Sequence, residues 1–343
     1  MKNIPSPCGL SHDEIVRILL DEEYGHLPQG ARRFRVEEMS RDASFAAGKA
    51  NLVKLAFTME GDFGSYTFPL YEVIPVDEGK HPAFLHINFR DLIPDKYQPT
   101  EELIDRGYAT FTFCYKDVTS DDGDFTNGLA GIVYPHGERG EYAAGKIALW
   151  AWAATFVMDY IQTKESIDGK RVTVTGHSRL GKTALLAGAL DPRFYCAISN
   201  CSGASGAALA RQKTGETIAK ICKTFPFWFS KHYHGYADKE DSLPFDQHFL
   251  IAANAPHRAY ITSAELDDWA CPPNEYAAAR LASEYYASLG LVGLVSEDER
   301  ASMNKAYHDG SIGYHIRRGL HYFSRTDWLY HMQYLEKSFD SDK

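Results

Sequence analysis

The sequence predicts an α/β fold, a mostly parallel central sheet flanked by helices. Two observations predict it. From about residue 80 onward, strand-like runs alternate with helical segments, the pattern of a parallel sheet covered on both faces. One of those strands, RVTVTG, runs directly into a Gly-His-Ser turn and a helix, as in VTVTGHSRLGKTA from Val172 to Ala184.

Taken in order, the elements read as follows. Residues 11–30 form a short helix, with Ser11 as its cap and Glu14 three residues later completing a capping box. LVKLAFTME and SYTFPLYEVIPV are strands joined by a turn at GDFG. HPAFLHINFR is a strand, PTEELIDRGY a short helix capped by Thr100, and YATFTFCYK a buried strand. The acidic stretch TSDDGDFTNG is a loop. EYAAGKIALWAWAATFVMDYIQ is a helix whose apolar residues cover more than one face, so it lies buried. RVTVTG and GKTALLAGAL are strand and helix, and CAISN and RAYITSAE are two further strands. PPNEYAAARLASEYYASLG is a helix with Pro at its start and Gly at its end. SIGYHIRRG is the last strand and TDWLYHMQYLEKSF the closing helix. The expectation is one domain over residues 1–343, with an insertion at about 202–255 that supplies a helical cap over the active site.

The composition is that of a globular protein, 44% apolar and 24% charged over 343 residues, enough to bury a core without staples. The formal net charge of −10 argues against nucleic acid or an anionic membrane surface as partner. The first 20 residues hold no apolar stretch long enough for a signal peptide, and no stretch of the chain is long enough to span a membrane. The expected location is the cytoplasm, or outside the cell where a leader has been removed. A cytoplasmic enzyme acting on carbohydrate would meet small imported oligosaccharides. The six cysteines show no zinc spacing, and no metal or cofactor is expected. His232 and His234 are too few for a metal site. Asp121, Asp122 and Asp124 lack the spacing and terminal Glu of a calcium loop. The oligomeric state is left open.

A serine between strand and helix has the geometry of a nucleophile elbow, in which a sharp turn lifts the hydroxyl off the sheet. The N–H of the next residue, Arg179, then points where an oxyanion forms. The usual spacing is G-x-S-x-G; in Gly176-His177-Ser178-Arg179-Leu180-Gly181 the second glycine comes one place late. The same residues fit G-x-x-x-x-G-K-[ST], a phosphate-binding loop. The rest of the chain separates the two. A phosphate-loop strand comes early in its domain and is followed by a strand ending in Asp, whereas this strand follows several others and CAISNCSG ends without an acid. A nucleophilic serine instead needs an acid and then a histidine in chain order. RAYITSAE is followed by Asp267, two residues before Trp269 and the Ala-Cys-Pro turn, and SIGYHIRRG is followed by His321. Glu265 and Asp268 compete with Asp267. His315 competes with His321, but lies within its strand.

The chain resembles the glucuronoyl esterases, carbohydrate esterase family fifteen, and within them the bacterial branch that often carries the label acetyl xylan esterase. GHSRLGKTALLAGALDPRF matches the family motif G-x-S-R-x-G-K, which accounts for the late glycine. The similarity continues through NFRDLIPDKYQPTEELIDRGYATFTFCYKDVTSDDGDFTNG, LPFDQHFLIAANAPHRAYITSAELDDWACPPNEY and IGYHIRRGLHYFSRTDW. The resemblance implies an α/β-hydrolase fold and hydrolysis of 4-O-methyl-glucuronoyl esters. It implies Ser178 as nucleophile, His321 as base, Arg179 in the oxyanion site, and Lys182 and Trp269 at the sugar. Many members carry their catalytic Glu in a segment like E-S-G after the preceding strand. Here that segment is Cys201-Ser202-Gly203, so the acid is expected to be Asp267. The alternatives are an acetyl xylan esterase-type deacetylase, a nucleotide-binding protein, and a hydrolase-fold binding protein without catalysis.

Overall fold

The computed structural model describes residues 4–212 and 214–342. Ten strands form a single sheet: β1 (Arg32–Ser44), β2 (Ala50–Gly61), β3 (Gly64–Pro75), β4 (His81–Asn88), β5 (Ala109–Cys114), β6 (Ile167–His177), β7 (Cys196–Asn200), β8 (Arg258–Ala264), β9 (Ala306–Tyr307) and β10 (Ile312–Arg317). Their spatial order is β1-β2-β3-β5-β4-β6-β7-β8-β10-β9. The pairings from β1 to β5 are antiparallel, those from β5 through β4, β6, β7 and β8 to β10 are parallel, and β9 closes the edge antiparallel. Every residue of β5, β7 and β10 is buried, as expected of strands covered on both faces.

The helix Lys146–Ile161 is buried along all its residues but Asp159, which accounts for its apolar residues on every side. Thr119 O accepts from Trp150 Nε1 at 3.2 Å, and Lys146 Nζ donates to Thr119 Oγ1 at 2.9 Å and Asp124 O at 2.6 Å, so this helix also anchors the acidic loop. Between β7 and β8 the chain runs through short helices at Ile218–Thr224, His232–Tyr236, Glu240–Ser242 and His248–Ala252. No helix among the described residues is long and apolar enough to cross a membrane.

Two expectations change. The first helix is His12–Leu19 with the Ser11–Glu14 capping box in place, but after a π turn at Leu20–Tyr24 the chain leaves it at Gly25 rather than continuing to residue 30. Gly25 has φ of 85°, and a Cβ there would stand 2.3 Å from Ala143 O, so neither helix nor side chain can continue. Thr100 is the first residue of its helix and Pro99 takes the capping position; the Thr100 hydroxyl turns back to Gln98 O. β1 is a strand the sequence reading did not place: in RRFRVEEMSRDAS only Phe34 and Val36 alternate onto the core, and the rest of this edge strand is exposed.

Candidate active site

The C-terminal ends of β6, β7, β8 and β10 lie side by side and set the site. Such strand ends are where open α/β sheets hold their ligands. β6 ends at His177, and Ser178 follows with φ 59° and ψ −126° before the helix Arg179–Leu190 begins. Such a backbone is strained for a residue with a side chain. The turn is fixed by the N–H of Ser178 donating to Asn200 O at 2.8 Å and by Gly181 N donating to Ser178 O at 2.9 Å. Two glycines make it possible. A Cβ at Gly176 would sit 2.2 Å from Leu180 O, and one at Gly181 would come within 3.1 Å of Ser199 Oγ and 3.2 Å of Asn200 N. The late glycine therefore serves the contact between this helix and β7. As the first helical residue, Arg179 has a backbone N–H with no intrahelical acceptor.

β8 and β10 run parallel with Ala264 opposite Arg317, so the loops that follow them leave the sheet together. Glu265 N donates to Arg317 O at 2.9 Å and Leu266 N to Gly319 O at 3.0 Å. This lacing brings His321 Nδ1 to 2.6 Å from Asp267 Oδ2. Burial pushes the Asp267 carboxyl up. The hydrogen bond and charge of His321 and the Ala270 N–H outweigh it, and hold the group below the usual carboxylate range. The His177 ring packs against His321, tilted by 40° with ring centroids 4.4 Å apart, and its own Nδ1 is 2.6 Å from Asn200 Oδ1. Burial, and then the neighbouring His321, lower the His177 pKa to about 3, so His177 is neutral.

Ser178, His321 and Asp267 line one cavity of about 320 Å³ with Arg179, Lys182 and Trp269. All six residues singled out in the sequence thus meet at one place. A larger cavity of about 890 Å³, among Glu265, Tyr276, Arg280 and Arg300, contains none of them. Trp269 is 52% exposed at the rim, with Lys220 Nζ 5.4 Å from its ring centre. Lys182 is buried: its ammonium donates to Ser202 O and, at 2.5 Å, to Ala204 O, with Glu216 Oε2 3.8 Å away. Burial pushes its pKa down, against the pull of Glu216, Glu275 and Glu23. His315, the rival histidine, lies inside β10 between Asp327 and Tyr260, at 3.0 and 2.9 Å.

Several residues of the site carry no sequence signal. Asp121, from the acidic loop, accepts from the Arg179 guanidinium, from Trp228 Nε1 at 2.7 Å and from Tyr115 OH at 2.8 Å. The guanidinium also lies 4.6 Å from the Trp228 ring centre, and Phe225 stacks on Trp228 at 3.7 Å. Arg179 Nε is buried without a hydrogen-bond partner. Phe225, Trp228 and Glu216 come from the segment between β7 and β8 and form one wall of the cavity. Asp121 reads as a turn former because its partner is 58 residues away.

The family model described as "Glucuronyl esterase, fungi" matches residues 30–290. The chain belongs to the glucuronoyl esterase family. Among its curated relatives is carbohydrate esterase MZ0003 of an unknown prokaryotic organism, 43% identical over 240 residues, which are 69% of this chain and 55% of that protein. Another is the 4-O-methyl-glucuronoyl methylesterase of Podospora anserina, 27% identical over 290 residues, 81% of this chain and 56% of that one. The chain spans a little over half the length of these relatives. Among solved structures, a promiscuous CE15 esterase from a marine bacterial metagenome superposes with a TM-score of 0.87 at 30% identity, covering 98% of this chain and 97% of the other. The α/β-hydrolase fold is therefore that of the glucuronoyl esterase family, and Ser178 lies within the residues matched by the family model.

Proposed function

We propose that this chain is a serine carboxylic-ester hydrolase acting on a carbohydrate ester, namely a 4-O-methyl-glucuronoyl ester. The observation that carries the reading is His321 Nδ1 at 2.6 Å from Asp267, on the cavity that also holds Ser178. The names of the relatives support the substrate class.

In the proposed cycle, Asp267 accepts a hydrogen bond from the Nδ1–H of His321, which keeps the proton on Nδ1 and leaves the Nε2 lone pair free for the Ser178 hydroxyl proton. Ser178 Oγ attacks the ester carbonyl. The oxyanion meets the Arg179 N–H at the helix start and the guanidinium that Asp121 orients. His321 returns its proton to the leaving alcohol, and water then releases the uronic acid from Ser178 by the same route in reverse. Trp269 offers the sugar an indole face. Lys182 and Glu216 offer its hydroxyls a donor and an acceptor. The insertion at about 202–255 acts as the cap over the cavity.

The test is an assay of a methyl 4-O-methyl-glucuronate ester beside acetylated xylose, with Ser178→Ala as control. The expected result is release of methanol that the variant loses. Acetate release alone would replace this reading with the deacetylase. No hydrolysis of any activated ester, together with no phosphonate labelling of Ser178, would replace it with a binding protein.

A further inference from the structure

We infer that Cys201, Asp267 and His321 form a binding site for a soft divalent cation, Zn²⁺ in the first instance, and that occupancy shuts the active site off. Cys201 Sγ, an Asp267 carboxylate oxygen and a ring nitrogen of His321 all lie within 4.8 Å of one another. The thiol is free and the residue 1% exposed, yet all three side chains line the cavity, so an ion reaches them from the same side as a substrate. Cys201 is held at the end of β7 with φ 49°, its N–H on Thr262 O at 2.8 Å, so the thiol is fixed in place.

The donor set selects the metal. Thiolate, imidazole and carboxylate together are a zinc set, while Mg²⁺ and Ca²⁺ prefer oxygen alone. A tetrahedral zinc site with bonds of about 2.0–2.3 Å keeps its ligand atoms roughly 3.3–3.7 Å apart. The Asp267–His321 pair, now at 2.6 Å, must open a little, which the half-exposed His321 side chain can do by rotating its ring. Three protein ligands leave the fourth position to water.

The balance of the step explains its effect. The Cys201 thiol gives its proton to solvent and forms the Zn–S bond. Asp267 exchanges its hydrogen bond for a Zn–O bond. The His321 Nδ1 lone pair forms the Zn–N bond while the proton it carried passes through solvent to Nε2. One proton is released, and two anionic ligands neutralise the cation. Nε2 now bears a proton and cannot accept one from Ser178. The inhibitory half of this inference rests on the proposed esterase reading; the binding half does not.

The experiment uses the full chain in a Cys8→Ser background, because Cys8 is exposed and could hold metal on its own. Co²⁺ is titrated first, followed through the thiolate-to-metal charge-transfer band and the visible bands of a tetrahedral site. The expected result is one Co²⁺ per chain, displaced by Zn²⁺ and absent in both Cys201→Ala and Cys201→Ser. In the second arm, Zn²⁺ inhibition of ester hydrolysis is reversed by EDTA and is absent with Mg²⁺. Its midpoint shifts at least tenfold upward in the Cys201 variants, each normalised to its own metal-free rate. No sulfur-to-cobalt band, or the same stoichiometry and midpoint in the variants, overturns the inference. Cobalt binding that depends on Cys201 in a protein without esterase activity would keep the site and sink the function proposed above.

Discussion

Arg317 and Asp327 form a buried ion pair beneath the His321 loop, with Arg317 Nε 2.8 Å from Asp327 Oδ1 and 2.9 Å from Oδ2. The rest of the guanidinium donates to the carbonyls of Arg318 at 3.2 Å, Leu320 at 3.3 Å and Tyr322. One cation thus brackets the residues on either side of His321. Burial pushes the Asp327 carboxyl up, but the His315 hydrogen bond and the charges of His315 and Arg317 outweigh it and keep it well below the usual carboxylate range. Its other partners are the Ser324 hydroxyl and N–H, which cap the closing helix.

Loosening that bracket should misplace His321, the proposed base, more than it weakens substrate binding. Arg317→Lys keeps the charge but cannot donate to several carbonyls at once. We expect kcat to fall by about 10²-fold with KM changed only a few-fold. Steady-state kinetics on protein shown to be folded by circular dichroism checks this; an unchanged kcat would contradict it. Arg317→Met strips buried Asp327 of its guanidinium and leaves it only His315 and Ser324, and should cost about 3–5 kcal/mol of stability.

Asp267→Asn keeps the shape of the acid but offers no charge to His321 and can favour the wrong tautomer. By the behaviour of serine triads, kcat should drop by about 10⁴-fold. Cys201→Asp in that background places a carboxylate on the same cluster. Partial recovery of kcat is expected, and none at all would mean that position cannot reach His321.

Asp121→Asn removes the charge that orients the Arg179 guanidinium while leaving acceptor capacity for Trp228. If Arg179 acts on the oxyanion, kcat should fall by about 10- to 10³-fold with little change in KM. An effect confined to KM would assign Arg179 to ground-state binding instead.

Glu23 lies fully buried, and burial raises its pKa from 4.5 to about 7 against the hydrogen bonds from Gln247, Ser205 and Tyr233 and the charge of Lys182. The folded state keeps a proton that the unfolded state releases near pH 4.5, so its contribution is complete below that pH. It is lost as pH rises through about 7, by up to about 3 kcal/mol. Glu23→Gln has no such proton. Urea midpoints at pH 5 and pH 8 should differ by more in the parent than in the variant; equal differences would refute the assignment.

The local signals that proved legible are those that depend on neighbours in the chain. The capping box at Ser11, the buried runs of β5 and β7, the Pro start of the helix Pro272–Ser288 and the strand–Ser178–helix turn are all short-range patterns. The edge strand β1 was not legible, because it is exposed on most of its length and its apolar period is limited to Phe34 and Val36.

At the site, the sequence by itself determined the chain order Ser178, Asp267, His321 and the motif that marks the family. Its place just past the strand ranked Asp267 above Glu265 and Asp268, and Cys201, standing where an acid would be, pointed to that later strand. Only the tertiary structure decided that Asp121 steers Arg179, that Lys182 is engaged by the turn after β7, that Arg317 fixes the His321 loop and that Cys201 faces His321 and Asp267. The reason is physical. A hydrogen bond across a parallel sheet depends on register and on which loops leave the same edge, and those are set by packing of the whole domain. No spacing in the chain records them.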